Sequence, residues 1–156
     1  MLFPTHLAAA AALGLASRLP TPWLVVGAAL PDLIDKPLGA SGFVELYHSV
    51  GHSALLAPLF VLIALYGRPG VAVAVGWGSH LCLDAFHVVI NGRPGHTLAF
   101  LWPLAESADP LGIPPGAFFQ YYVGTPSFYV EILLWLVLVA AFVAGRLPGR
   151  PSSRSG

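Results

Sequence analysis

Eight side chains of the metal-ligating type, His6, Asp32, Asp35, His48, His52, His80, Asp84 and His87, stand in short motifs of a chain that otherwise carries almost no charge. Only 9% of residues are Asp, Glu, Lys or Arg against 56% hydrophobic, and the mean hydropathy is +0.77. A charge left alone in such surroundings is costly unless it is paired or metal-bound, so any fold must bring these groups together. At 156 residues the chain is one domain's worth, and it has too little polar surface to cover an apolar core of that size in water. The bilayer is the expected solvent.

Seven basic and seven acidic residues leave no net charge. There is no footprint for nucleic acid, because the one basic cluster is the tail residues Arg146, Arg150 and Arg154. The single cysteine, Cys82, excludes an intrachain disulfide and reads as a small packing residue on an apolar helix.

Along the chain, Pro4 to Ser17 predicts an alanine-rich helix and Trp23 to Leu30 a second short apolar segment that stops at Pro31. The run from Leu7 to Ala16 has the length of a signal-peptide core. No basic residue precedes it and Arg18 follows it, so a retained helix fits better. Phe43 to Tyr66 predicts a long helix kinked at Pro58, with Glu45 near its start as a cap-region residue, and Val71 to Ile90 a membrane-crossing helix. Residues 96 to 127 are interrupted and aromatic, and Phe128 to Ala144 is a last apolar helix. The expected fold is all-α, an integral membrane bundle of about four or five helices over 1–145, with a disordered basic tail at 146–156. The first two helices either span or form a re-entrant hairpin.

If the segments alternate, Arg18, Arg68 and the tail share one side, which the positive-inside rule assigns to the cytoplasm. The histidine and aspartate motifs then gather toward the outer face of an inner membrane, with Lys36 and Arg93 as exceptions. At ~100° per residue, Asp84 lies about 40° and His87 about 20° from His80, so the three share one helix face. His48 and His52 are one turn apart on their expected helix. Facing one another, these groups offer nitrogen and oxygen ligands to zinc, manganese or iron, and Asp32 and Asp35 could complete or bridge a second ion.

The strings His6-Leu7-Ala8, Pro31-Asp32-Leu33-Ile34-Asp35-Lys36-Pro37, Gly51-His52-Ser53, Ser79-His80-Leu81-Cys82-Leu83-Asp84 and Leu101-Trp102-Pro103-Leu104 fall in an order that resembles the YdjM-like, LexA-regulated family of inner-membrane metal-dependent hydrolases. The resemblance covers roughly residues 1 to 104. It implies a small multi-helix membrane protein whose divalent-metal ligands, zinc foremost and manganese second, are His6, Asp32, His52, His80 and Asp84, with Asp35 as ligand or outer partner. His48 stands where that family's pattern has a basic residue able to clamp a phosphate, so either the substrate class or the ligand set differs here. Asp35 and His48 are the candidates for catalytic roles. A weaker similarity, to helical zinc-dependent phospholipase C and P1-type nucleases, implies phosphoester hydrolysis of a lipid or lipid-linked phosphate by metal-activated water.

Plainer roles stand beside these. His87 and His96 each fit a hydrogen-bonded packing histidine, Asp35 could pair with Lys36 or cap a helix, and Glu131 could reach the interface or support a histidine. Gly76 and Gly78 read as close-packing positions. A non-catalytic metal-binding membrane protein, or an ion or proton transporter, would use the same residues. No Gly-x-Ser-x-Gly elbow occurs, which leaves serine hydrolase chemistry without support.

Overall fold

A computed structural model describes residues 1–44, 47–105 and 115–146. Among them every regular element is helical: α1 (Phe3–Ala16), α2 (Thr21–Ala40), a 3-10 turn (Ala54–Leu56) running into α3 (Ala57–Ala64), α4 (Arg68–Ile90), a 3-10 segment (Pro94–Leu101), α5 (Pro115–Tyr122) and α6 (Pro126–Arg146). The all-α expectation holds. Glu45 and the tail from residue 147 lie outside the described residues.

Two expected boundaries are overturned. The second segment does not stop at Pro31, because α2 runs on through Pro31 and Pro37 to Ala40. Pro31 is fully buried, and the packing around it outweighs the one backbone hydrogen bond that a proline removes. The long helix expected from Phe43 to Tyr66 is reduced to α3 and its 3-10 lead-in, so His48 and His52 sit on an irregular connection. The backbone N–H groups of Ser49, Gly51 and His52 donate instead to the carboxylate of Asp35, which leaves them unavailable to a helix.

The α2–α4 crossing is the largest contact between elements, with α1 against α2 and α3 against α4 on either side. It depends on two glycines. A Cβ on Gly76 would collide with the Leu24 carbonyl, and one on Gly27 with the Val73 carbonyl, so the two backbones touch reciprocally. Small residues permit such an approach in apolar surroundings, where helices gain mainly from van der Waals contact. Gly78, expected to share that role, has open space where a Cβ would stand. The reason is angular: two residues on from Gly76 is about 200° around the helix, away from α2.

Many polar groups are buried beside a small apolar core of Ala10, Leu24, Ala28 and Ala72, while many large apolar side chains face outward. Buried polar residues include Thr5, His6, Asp32, Asp35, His52, His80, Asp84, His87 and Glu131, whereas α6 exposes Ile132, Leu133, Leu136, Val137, Val139 and Phe142. One helix, α4, is long and apolar enough to cross a membrane by itself, and α5 with α6 passes as a pair bent by 94°. α1 and the Ala54–Ala64 segment are apolar but shorter.

The crossing makes a sharp expectation. Gly76→Val should lower unfolding stability in detergent by about 1–3 kcal/mol, since neither backbone can retreat without losing the other contacts. Gly78→Ala should be neutral or stabilising by up to ~1 kcal/mol through helix propensity. Equal destabilisation by both would contradict the close approach.

Candidate metal centre

Asp84 is the centre of the cluster. Its Oδ1 lies 3.0 Å from His6 Nε2, and its Oδ2 lies 3.1 Å from His80 Nε2 and 3.4 Å from His52 Nε2. His52 Nε2 is in turn 3.1 Å from His80 Nε2 and 3.7 Å from Asp32 Oδ1. Metal–ligand bonds of about 2.0–2.2 Å place the corners of a tetrahedral zinc site about 3.4 Å apart, and these spacings bracket that value.

Hydrogen bonds on the far side of each ring fix which nitrogen faces inward. His80 Nδ1 donates to the Ala28 carbonyl at 2.7 Å, and His6 Nδ1 donates to the Leu2 carbonyl at 3.2 Å. His52 Nδ1 donates to Asp35 Oδ2 at 2.7 Å. A carbonyl only accepts, so the hydrogen of a neutral ring sits on Nδ1, and Nε2 turns a lone pair toward Asp84 and the other rings. Lone pairs facing one another and a carboxylate at these distances repel unless a metal ion or a proton lies between them. Histidine ligands held through the opposite nitrogen are the usual companions of a bound metal.

Among the described residues, three overlapping groups have ligand atoms within 4.8 Å of one another: His6, His80 and Asp84; Asp32, His52 and His80; and His48, His52 and Asp84. A divalent ion fits the donor set of nitrogen and carboxylate oxygen. Because His80 Nε2 can bind only one ion, the first two groups either merge into one site around it or form two sites of which only one includes His80. The candidate ligands from the sequence, His6, Asp32, His52, His80 and Asp84, are thus brought together from α1, α2, the 47–53 connection and α4. His48 is at the edge, its ring 4.5 Å from that of His52.

Asp35 stands apart from the inward-facing atoms. It is fully buried and accepts from the backbone of Ser49 (2.7 Å), Gly51 (2.8 Å) and His52 (3.2 Å), from the Ser49 hydroxyl (3.3 Å) and from the His52 ring. Lys36 Nζ, on the next turn from Asp32, lies 3.2 Å from Asp32 Oδ1. Burial would lower the pKa of His52, but its hydrogen bonds to Asp35 and Asp84 and the charges of Asp84 and Asp32 outweigh burial and hold it above the ordinary histidine value.

Other site-shaping residues carry no motif. Glu131 on α6 accepts from the Leu2 backbone at 3.3 Å and from the hydroxyls of Thr5 and Tyr122, while Trp135 Nε1 donates to Thr5 Oγ1 at 2.9 Å. Leu2 and Thr5 flank His6, so α6 grips the turn that presents the ligand. The one signal in the sequence was an acid inside an apolar helix. Trp77, stacked on Phe60, donates to the Gly51 carbonyl at 3.1 Å and holds the His52 connection against α4.

The raised His52 pKa has a sign. In the metal-free protein it contributes stability that is complete below the unfolded value of about 6.5 and is lost as pH rises through the higher folded value. Metal uptake requires the unprotonated ring, so zinc affinity should climb with pH until that folded value is passed and then level. In Asp35→Asn the levelling point should move to lower pH and zinc affinity should fall about 10- to 100-fold, read by competitive chelator titration across pH. An unchanged profile would remove Asp35 as the group that positions His52. No family model, curated protein or solved structure matches the chain, and the case for a metal rests on this donor set.

Proposed function

We propose that the chain is a membrane-embedded, metal-dependent hydrolase of phosphoesters carried by lipids or lipid-linked molecules, with its site toward the outer face of an inner membrane and its C-terminus cytoplasmic. The observation that carries the reading is the set of three imidazoles whose Nδ1 atoms are tied outward and whose Nε2 atoms converge on Asp84. Bound there, a divalent ion, zinc foremost, supplies Lewis acidity toward a phosphoryl oxygen and makes water nucleophilic near neutral pH. The YdjM-like resemblance of residues 1 to 104 supports the same ligands.

The chain's own residues divide the remaining work. His6, Asp32, His52, His80 and Asp84 hold the ion or ions, and Asp35 orients His52. Saturated by five donors, Asp35 has no lone pair directed at a reacting atom, which makes it a poor general base. His48 is half-buried at the rim beside His52 and is the better placed group for moving a proton to or from the leaving oxygen. An apolar groove lined by Leu2, Phe128, Ile132, Trp135, Leu136 and Val139 adjoins α1 where the Leu2 carbonyl holds His6. An acyl chain there would put its headgroup near the cluster.

Metal content by mass spectrometry on detergent-purified protein tests the site. Wild type should carry one or two equivalents of zinc or manganese, and folded His80→Ala and Asp84→Asn variants should lose them together with release of phosphate from phosphatidic acid. Metal retained without any hydrolysis would leave a non-catalytic metal protein. Absence of metal after readdition would overturn the reading.

A further inference from the structure

Four buried side-chain nitrogens among the described residues have no hydrogen-bond partner: Nε2 of His87, and Nε, Nη1 and Nη2 of Arg93. They lie at the end of α4, against α5. The His87 ring stacks on Tyr122 with centroids 5.4 Å apart, and the Arg93 guanidinium sits 5.5 Å from the ring centroid of the adjacent Tyr121. Backbone bonds from Asn91 to the His87 carbonyl and from Arg93 to the Val88 carbonyl fold the 91–93 turn back on the helix. Tyr121 and Tyr122 are neighbours in α5, so both groups pack against the end of the same helix.

All four nitrogens are donors. A guanidinium has N–H groups and no acceptor. His87 Nδ1 lies 2.5 Å from the Met1 backbone nitrogen, which donates to it, so the ring hydrogen is on Nε2. A buried donor without an acceptor costs more than an ordinary hydrogen bond returns, and most severely when it is charged. The aromatic faces of Tyr121 and Tyr122 attract the cation but offer it no oxygen. A multi-oxygen anion has the acceptors to satisfy all four donors.

We infer that Arg93 and His87 form a binding site for a phosphoryl group, with the planar Arg93 fork taking two of its oxygens and His87 Nε2–H a third. Asp84 is one helical turn from His87, and both approach the Met1 nitrogen, which is 3.3 Å from Asp84 Oδ1. The anion site therefore borders the metal cluster. It gives the proposed hydrolase a phosphate-bearing substrate, and only that step rests on the hydrolase reading. The negative charge of Asp84 makes the site weaker without a metal and stronger with one.

The test is calorimetric titration of the full chain in detergent, zinc-loaded and chelator-treated, with inorganic phosphate and, in mixed micelles, with phosphatidic acid against phosphatidylcholine. Zinc-loaded wild type should bind phosphate, Arg93→Met should weaken it about 10- to 100-fold, and Arg93→Lys should fall between, because an ammonium cannot form the fork. Phosphatidic acid binding at least about tenfold tighter than inorganic phosphate would name a lipid headgroup as the source, and parity a soluble phosphate. If Arg93→Met does not fold, the comparison passes to Arg93→Lys. Phosphate affinity unchanged in a folded Arg93 variant, or no binding of either ligand to zinc-loaded wild type, would overturn the site and leave the metal reading intact. Arg93-dependent phosphate binding by a protein that takes up no zinc would do the reverse.

Discussion

The carboxylate of Asp35 is the interaction on which the rest of the site depends. Two oxygens on α2 accept from three backbone amides, one hydroxyl and one imidazole of the 49–52 stretch. Without it those amides would be buried donors lacking partners, in a place where water is scarce. With it, an irregular connection becomes a fixed one, His52 receives its tautomer and direction, and Gly51 can settle against the Pro31 backbone. The same group thus settles local structure, packing and ligand geometry.

The glycine contacts set the distance between α2 and α4, and the cluster inherits that distance. His80 reaches the Ala28 carbonyl only because the Gly27 and Gly76 crossings bring the backbones together below it. On the other side, Glu131 ties α6 to the first turn of α1, while Asn91 and Ser127 join the end of α4 to the start of α6 at 2.8 Å. The Glu131–Thr5 and His80–Ala28 links are buried and the others part-buried, and a buried one would be a liability if its partner were absent. A polar interior satisfied in this way can tolerate an apolar exterior that water would not.

The helix-borne part of this arrangement was legible from spacing. His80, Asp84 and His87 share a face because 3.6 residues complete a turn, and all three are buried. The connection carrying His48 and His52 was not, since its conformation is set by a carboxylate 14 residues earlier in sequence and periodicity sees only neighbours. Pro31 misled for the same reason, tertiary packing overriding a local rule. Gly76 and Gly78 look alike in sequence and differ only in which side of α4 meets α2. Arg93 was visible merely as a charge on the side where basic residues were not expected, and its significance comes from the orphaned donors around it.

Placement along the helices bears on the choice between hydrolysis and ion passage. The chemistry occupies one end of each element: Thr5 and His6 open α1, Asp32 and Asp35 lie in the second half of α2, and His80, Asp84 and His87 fall in the second half of α4. The opposite ends bury Ala10, Leu24 and Ala72, with no ionisable side chain among them. An ion entering the cluster would meet alanine, leucine and touching backbones rather than a ladder of exchangeable ligands, and desolvating it through that layer is costly. Close helix contact at Gly27 and Gly76, which fixes the ligands, also closes the route beyond them. A cation bound by these residues would sit at a closed end, beside unsatisfied donors and an apolar groove, the arrangement the proposed hydrolysis requires.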